Sequence, residues 1–510
     1  MKTLSAVTRA AAPALLLAVL SACATNPAQY PRTPSSRLVA PESCALAQIL
    51  ASPAEDARSG FTLLSEPQPA YEARVALVAE AEQTLDLQYY IWDPDTAGTL
   101  LAVKLAEAAK RGVRVRVLID DFTTSGHDMG LAVLNSLPNV EVRLFNPYGQ
   151  RGARGLQMLG DFSRLNHRMH NKAMIADGRA AIVGGRNIGD HYFGVSGSAN
   201  FRDMDVLTTG PIVTDIASSF DTFWNSEFAV PVEALGFVSQ ETMAKRFERA
   251  QAEGPAWREE HAAAIEALLP PGRGPEDRLR EWRATMVWAP ARVLVDDPSK
   301  AGGSGQMSVL EELGARTAQI QHDLLIESAY FVPGTRTVEG FARLVDRGIR
   351  VRVLTNSLAS TDVAAVHAVY APMRKPLLEK GVELHEFRVD SRSSALLGSS
   401  GASLHSKVVV FDHTSVFIGS FNLDGRSAIQ NTELGLLIDS PELADRTVAV
   451  IEEGFAPETS WKVIEDPSGK KLRWLGRTNG VPDERTHEPG ASIWRRMGAA
   501  MLGWLPAEQM

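Results

Sequence analysis

Between Glu82 and Trp92 the chain reads EQTLDLQYYIW, a run of leucine, aromatic and β-branched residues with few polar breaks, which predicts a buried strand. Apolar residues then recur at helical spacing, with Leu101, Leu105 and Ala108 on one side, and the pattern stops at Gly112. VRVRVLID, from Val113 to Asp120, is again β-rich, so the local order is strand, helix, strand. The same order returns far downstream. LLIESAYFV from Leu324 is followed by a helical segment with Phe341, Leu344 and Val345, a stop at Gly348, and IRVRVLTN from Ile349.

The two copies share a register. RGVRVRVL begins at Arg111 and RGIRVRVL at Arg347, and from there HNKAMIAD starts 59 residues on and HSKVVVFD 58 residues on. This predicts a duplication into two similar α/β domains, at about 61–235 and 306–455. Residues 236–305 hold two charged helical stretches around the breaker PPGRGPED and read as a helical linker packed on the outside; 456–510 read as a C-terminal tail.

The repeated octapeptides carry the candidate chemistry. In an extended segment alternate side chains share a face, so His170 and Lys172 point one way, as do His405 and Lys407. Asp177 and Asp412 open the turns that follow, and Asp177-Gly178 is a strong hairpin signal. The returning strands end in GGRN and GSFN, which brings Asn187 and Asn422 back beside the imidazoles. Gly184, Gly185, Gly419 and Ser420 are small enough to let a ligand approach the backbone. A lone His-x-Lys means little, whereas five residue types at fixed spacing, found twice in one chain, do not arise by chance.

This paired signature, His170-x-Lys172-x4-Asp177-x6-Gly184-x2-Asn187 and His405-x-Lys407-x4-Asp412-x6-Gly419-x2-Asn422, resembles that of the phospholipase D superfamily. Within it the chain is most similar to the bacterial cardiolipin synthases of the C type. LDLQYYIW, DFSRLNHRMHNK, VGGRNIGDHYFG, ESAYFVP, LTNSLASTDVAAVHAVY and GASLHSK support the resemblance, which covers most of residues 60–510. It implies two duplicated α/β/α sandwich domains related by a pseudo-twofold axis, with one active site at their interface.

The implied chemistry uses one histidine on each side of a phosphodiester. A neutral imidazole attacks phosphorus, the opposite imidazolium protonates the departing alkoxide, and a phosphohistidine results. An alcohol or water then displaces the enzyme. By family analogy His170 is the nucleophile and His405 the acid–base partner. Lys172, Lys407, Asn187 and Asn422 are suited to bind the non-bridging oxygens, so neither metal nor cofactor is expected. Each half also carries an acid to orient its histidine: Glu433, 28 residues after His405, and Asp203, 33 residues after His170. A five-residue insertion in NIGDHYFGVSGSANFRD accounts for the difference. Asp177 and Asp412 read as scaffold. His167 lies outside the pattern, and His367 and Tyr370 have no derivable role.

Charge and the chain's ends narrow the substrate. The formal net charge of −9 becomes −11 without residues 1–22, which contain Lys2 and Arg9 and no acid, a poor match to nucleic acid. Those residues, with the apolar run Leu15 to Leu20 and Leu20-Ser21-Ala22 before Cys23, resemble a lipoprotein signal peptide. Cys23 would then be acylated and Cys44 left without a disulfide partner. Residues 23–60 form a lead-in, with the Pro-, Ser- and Thr-rich Ala24 to Ser36 as tether. The expected location is the bacterial cell envelope, lipid-anchored on the periplasmic face of the outer membrane.

Near the other end, Ile493, Trp494, Met497, Met501, Trp504 and Leu505 fall on one helical face flanked by Arg495 and Arg496, the pattern of an interfacial segment. The expected function is transfer of a phosphatidyl group between membrane phospholipids, with phosphatidylglycerol as acceptor and phosphatidylethanolamine as a further candidate lipid. Hydrolysis of phospholipid to phosphatidic acid is the alternative. A nuclease of the same fold and a silent lipid-binding lipoprotein rank below these.

Overall fold

The computed structural model describes residues 26–53, 58–236, 240–390 and 401–502. Cys23 and the residues before it, read above as a signal peptide, lie outside the described residues, as do Trp504 and Leu505.

Ten strands come from the chain up to residue 289: β1 (Ser59–Leu64), β2 (Thr84–Tyr89), β3 (Arg114–Asp120), β4 (Val140–Phe145), β5 (Ala173–Ala176), β6 (Ala180–Gly184), β7 (Asn200–Arg202), β8 (Asp205–Thr209), β9 (Ala229–Pro231) and β10 (Val287–Ala289). All but β7 form one sheet, in the order β10-β1-β8-β6-β5-β2-β3-β4-β9. Eleven follow: β11 (Ala291–Val295), β12 (Asp323–Ser328), β13 (Arg350–Asn356), β14 (Glu383–Phe387), β15 (Ala402–Leu404), β16 (Lys407–Phe411), β17 (Ser415–Gly419), β18 (Leu434–Ile438), β19 (Ser460–Glu465), β20 (Leu472–Thr478) and β21 (Val481–Arg485). Their sheet runs β11-β18-β17-β16-β12-β13-β14-β19-β20-β21. From β1 to β9 and from β11 to β19 the two orders agree strand for strand, so the duplication extends to topology. β7 and β15 pair with each other, parallel, across the two halves.

The strand–helix–strand units form as the pattern predicts. β2 is buried at all six positions, which explains its near-continuous apolar run. The helix Thr96–Lys110 starts where the Asp95 carboxylate accepts a hydrogen bond from Gly98 N at 3.1 Å. It ends at Gly112 (φ 98°), and its counterpart Thr335–Asp346 ends at Gly348 (φ 81°). In both, the next residue's N–H reaches back to the last turn, Val113 to Ala108 O and Ile349 to Leu344 O, an exit that only a left-handed residue allows.

Two outer cores lie beneath the outer helices of each half, and a third is shared: Phe61, Leu118, Val183 and Phe220 pack in one cluster with Leu325, Val408, Leu434 and Ile451. The halves are therefore joined by a common apolar layer.

Three expectations change. The stretch 236–305 is not only an external linker: β10 extends the first sheet by pairing with β1, and β11 opens the second by pairing with β18, with Pro290 alone between them. Runs as short as VWA and ARVLV, split by a proline, carry too little periodicity to read as strands. The second sheet also continues past 455 into β19, β20 and β21. Finally, the tether is bound down from Asn26 onward. Buried Arg116 and Arg143 spend guanidinium N–H groups on Ser35 O (3.0 Å) and Thr33 O (2.6 Å), so the passing backbone supplies acceptors these arginines lack within the core. Cys44 is a free cysteine buried in the first core.

Candidate active site

His170 lies three residues before β5 and His405 two before β16, both at the seam between the halves. Arg168 O accepts from Thr432 N and Thr432 O from His170 N, each at 2.9 Å, while His405 N donates to Arg202 O at 2.8 Å. Equivalent side chains on the neighbouring strands hold these segments in place. Asp120, ending β3, accepts from Met169 N at 2.8 Å; Asn356, ending β13, accepts from Leu404 N at 2.9 Å.

This seam crosses the carboxylates over. His170 Nδ1 meets Glu433 Oε2 at 3.0 Å, and His405 Nδ1 meets Asp203 Oδ2 at 2.6 Å. Each acid serves the histidine of the other half, which corrects the expectation that Glu433 orients His405 and Asp203 orients His170. The cause is local. Thr432 and Arg202, the residues just before the acids, are the ones that pair with the opposite histidine's backbone. Neither Nε2 has a protein partner among the described residues.

Lys172 Nζ donates to His170 O at 2.6 Å; Lys407 Nζ donates to His405 O and lies 3.2 Å from His405 Nδ1. Both lysines are buried and lie within the electrostatic reach of both acids, so the four groups form one cluster. Burial pushes the two ammonium groups below the ordinary lysine value. It also lowers His170 to about 4, with Lys172 adding to the effect and Glu433 only partly offsetting it. His405 is lowered by burial and by Lys407. Burial alone would raise Asp203, but His405 and Lys407 overcome it and leave the carboxylate at about 2; Glu433 is likewise held low against burial by His170 and Lys172. The arrangement is two imidazoles, each held at Nδ1 by an ionised carboxylate, with His170 kept neutral by its burial.

The asparagines differ. Asn187 Oδ1 accepts from Ile91 N at 3.1 Å and its Nδ2 donates to Tyr192 OH at 2.9 Å, which leaves one amide hydrogen. Asn422 Oδ1 lies 3.4 Å from Tyr330 N, and its Nδ2 has no partner among the described residues.

The small residues of the returning strands have a different purpose from the one expected. A Cβ on Gly185 would run into the Asp203 carboxylate, one on Gly184 into Asp205, and one on Gly419 into Gly435 and Leu434 O. Ser420 Oγ donates to Glu433. These positions make room for the acids and their strands, not for a ligand.

Asp177 accepts from the N–H groups of Glu82, Gln83 and Thr84, and Asp412 from those of Gln321, His322 and Asp323, at 2.8 to 3.0 Å. Each ties its hairpin to the start of the neighbouring central strand. His167 lies apart, its Nδ1 on Ser163 O. His367 and Tyr370 belong to a buried network around Arg374, which bonds Glu386 and Glu488 and so holds the C-terminal segment.

Several neighbours were not foreseen. Tyr90 packs edge-on against His170 and Tyr192 edge-on against His405, where Phe201 lies tilted, with ring centroids 5.1 to 5.2 Å apart. From the presumed linker, Asp296 Oδ2 accepts from Glu433 N at 3.2 Å and pairs with Lys300 at 2.7 Å, and Lys300 also bonds Ser427 O at 2.9 Å. Ser427 Oγ in turn accepts from Asn422 N at 3.2 Å. At Asp296 and Lys300 the sequence shows only an aspartate four residues before a lysine, a spacing too common to mark a site. No group of three or more metal-ligating side chains suited to a metal ion occurs among the described residues.

Two copies of one α/β unit, each contributing a His-x-Lys to a shared cluster, define a duplicated phospholipase D fold. Residues 75–224 and 315–454 match the family described as cardiolipin synthase, PLD-like domain, and the chain belongs to that family. It is 40% identical over 465 residues to cardiolipin synthase C of Escherichia coli K12, covering 88% of this chain and 95% of that protein. Cardiolipin synthase B of Shigella flexneri is 26% identical over 445 residues, covering 87% and 90%. Among solved structures, the phosphatidylserine synthase of Haemophilus influenzae shares the fold, with a TM-score of 0.53 at 14% identity over 79% of this chain and 87% of that one.

Proposed function

We propose that this protein transfers a phosphatidyl group from one phospholipid to the hydroxyl of phosphatidylglycerol, forming cardiolipin. The observation that carries the reading is the crossed pair, two imidazoles fixed at Nδ1 by carboxylates and open at Nε2, with two buried ammonium groups beside them. Kinship with the cardiolipin synthases supports the choice of lipid.

His170, which burial keeps neutral, attacks phosphorus through Nε2 while protonated His405 gives its proton to the departing alkoxide. The P–O bond to the leaving alcohol breaks as the P–N bond forms. Neutral His405 then takes the proton of the acceptor hydroxyl, whose oxygen displaces His170. Lys172, Lys407 and the free amide hydrogens of Asn187 and Asn422 stabilise the charge gathering on the non-bridging oxygens.

The C-terminal helix supports the same reading. The helix Ile493–Leu502 docks through Ala499 and through Arg495, which bonds Leu358 O at 2.6 Å and so does not flank the outer face as the sequence pattern implied. Ile493, Trp494, Met497 and Met501 stay exposed, Trp494 at 77%. No described helix is long and apolar enough to cross a membrane. We assign bilayer contact to this face and to an acyl group on Cys23, at the outer membrane. The test is to give the purified protein a defined mixture of phosphatidylglycerol and phosphatidylethanolamine and identify the products by mass spectrometry. Cardiolipin is expected; phosphatidic acid alone would replace transfer by hydrolysis.

A further inference from the structure

The two halves are not packed equally on their outer sides. In the first, the helix Pro67–Glu80 buries nine residues, covered in part by the helix Pro275–Ala284, which reaches Glu72 through Arg278. Its counterpart Ser308–Gln319 buries only Val309 and Leu313. Beneath it the second half keeps two adjoining cavities of about 570 and 450 Å³, which share Leu310, Thr337, Phe421 and Leu423 as walls. Both are lined mainly by aliphatic and aromatic side chains, and their volumes are those of ligand sites.

The cleft is open and lies beside the candidate active site. Phe421 and Leu423 flank Asn422, and Asp424 on the wall feels the charges of Lys407 and Glu433. Val332 lies two residues beyond Tyr330, whose hydroxyl binds Asp362, a neighbour of His405 in charge. On the other side, Val366 and Val369 belong to the helix Ala364–Tyr370, which packs against the C-terminal helix bearing the exposed Trp494. Ile429, on the cleft wall, stands exposed, as does Val363 just before the helix Ala364–Tyr370. Apolar side chains thus mark a path from the face assigned to the bilayer, along one helix, to a cleft whose wall at Phe421, Leu423 and Asp424 adjoins Asn422. An open apolar cleft of this size calls for an apolar occupant.

We propose that this cleft takes one acyl chain of the phospholipid whose phosphate is attacked by the histidines, so that chain burial places the phosphodiester. The inference rests on the phosphatidyl-transfer reading. Each methylene moved from water to the cleft contributes a factor of about four.

The test compares kcat/KM for monomeric phosphatidylglycerols with butanoyl, hexanoyl and octanoyl chains, beside the acyl-free bis(4-nitrophenyl) phosphate. The variants are Gly340→Leu and Ala428→Phe, which fill the two cavities from separate walls. Beyond Gly340 a Cβ meets nothing closer than 3.8 Å, and leucine favours its helix. In the wild type kcat/KM should climb by at least tenfold from butanoyl to octanoyl, and in each variant, shown folded by its melting curve, this ratio should fall toward one. An unaltered ratio in both variants overturns the cleft's role while leaving phosphatidyl transfer in place. Turnover of the acyl-free diester with no turnover of any phosphatidylglycerol removes both readings.

Discussion

His170 and His405 are alike in sequence but are set apart by their surroundings, and three measurements follow from that difference. With a substrate whose leaving group needs no protonation, His405→Asn should still accumulate an adduct on His170, whereas His170→Asn should form none; peptide mapping of the trapped protein decides between them. The crossed carboxylates extend the test. Glu433→Gln should slow adduct formation by about 10²–10⁴-fold, and Asp203→Asn should slow its breakdown instead; the reverse result would restore the uncrossed pairing. The third concerns pH. The folded pKa of His170, about 4, lies below its unfolded value of about 6.5, so the unfolded chain binds more protons between the two. Stability from this group is complete above about 6.5 and is lost as pH falls toward about 4. Melting curves across that window should fall less steeply for His170→Asn than for the wild type.

At the scale of elements, the site depends on how closely strands approach and on what lies beneath them. Gly185→Ala forces a methyl against the Asp203 carboxylate, so it should cost about 1–3 kcal/mol and detach His405 from its acid, read as lost turnover alongside a lowered melting temperature. Lys300→Met removes the partner of buried Asp296, which also holds Glu433 N. Breaking a pair of this kind costs about 3–5 kcal/mol, which denaturant titration will measure. The hairpins, the glycine stops and the strand–helix–strand units were legible because periodicity and turn chemistry act between near neighbours in sequence. β10 and β11 were not, since their strand character comes from the sheet edges that accept them rather than from their own few residues.

For the whole molecule, the predictions concern the bilayer. Cys23→Ser should release the protein from membranes, checked by fractionation and by mass spectrometry of the N-terminal peptide. Trp494→Ser should weaken binding of the purified protein to phosphatidylglycerol vesicles by roughly tenfold or more, the worth of one buried aromatic side chain; equal partition would mean that the exposed face of Ile493–Leu502 meets something other than lipid.

The sequence by itself determined the duplication, the family, and the eight polar residues gathered at the seam, because repeated motifs and their spacing are properties of a linear chain. Only the tertiary structure decided which acid faces which histidine, that the glycines make room for those acids, that Asp296 and Lys300 lie beneath Glu433, and that the second half keeps an apolar cleft the first has filled. The crossing depends on which backbone edge pairs with which across the two halves, between residues more than 200 positions apart, and the rest on which strands and helices come to lie side by side; no local pattern records either.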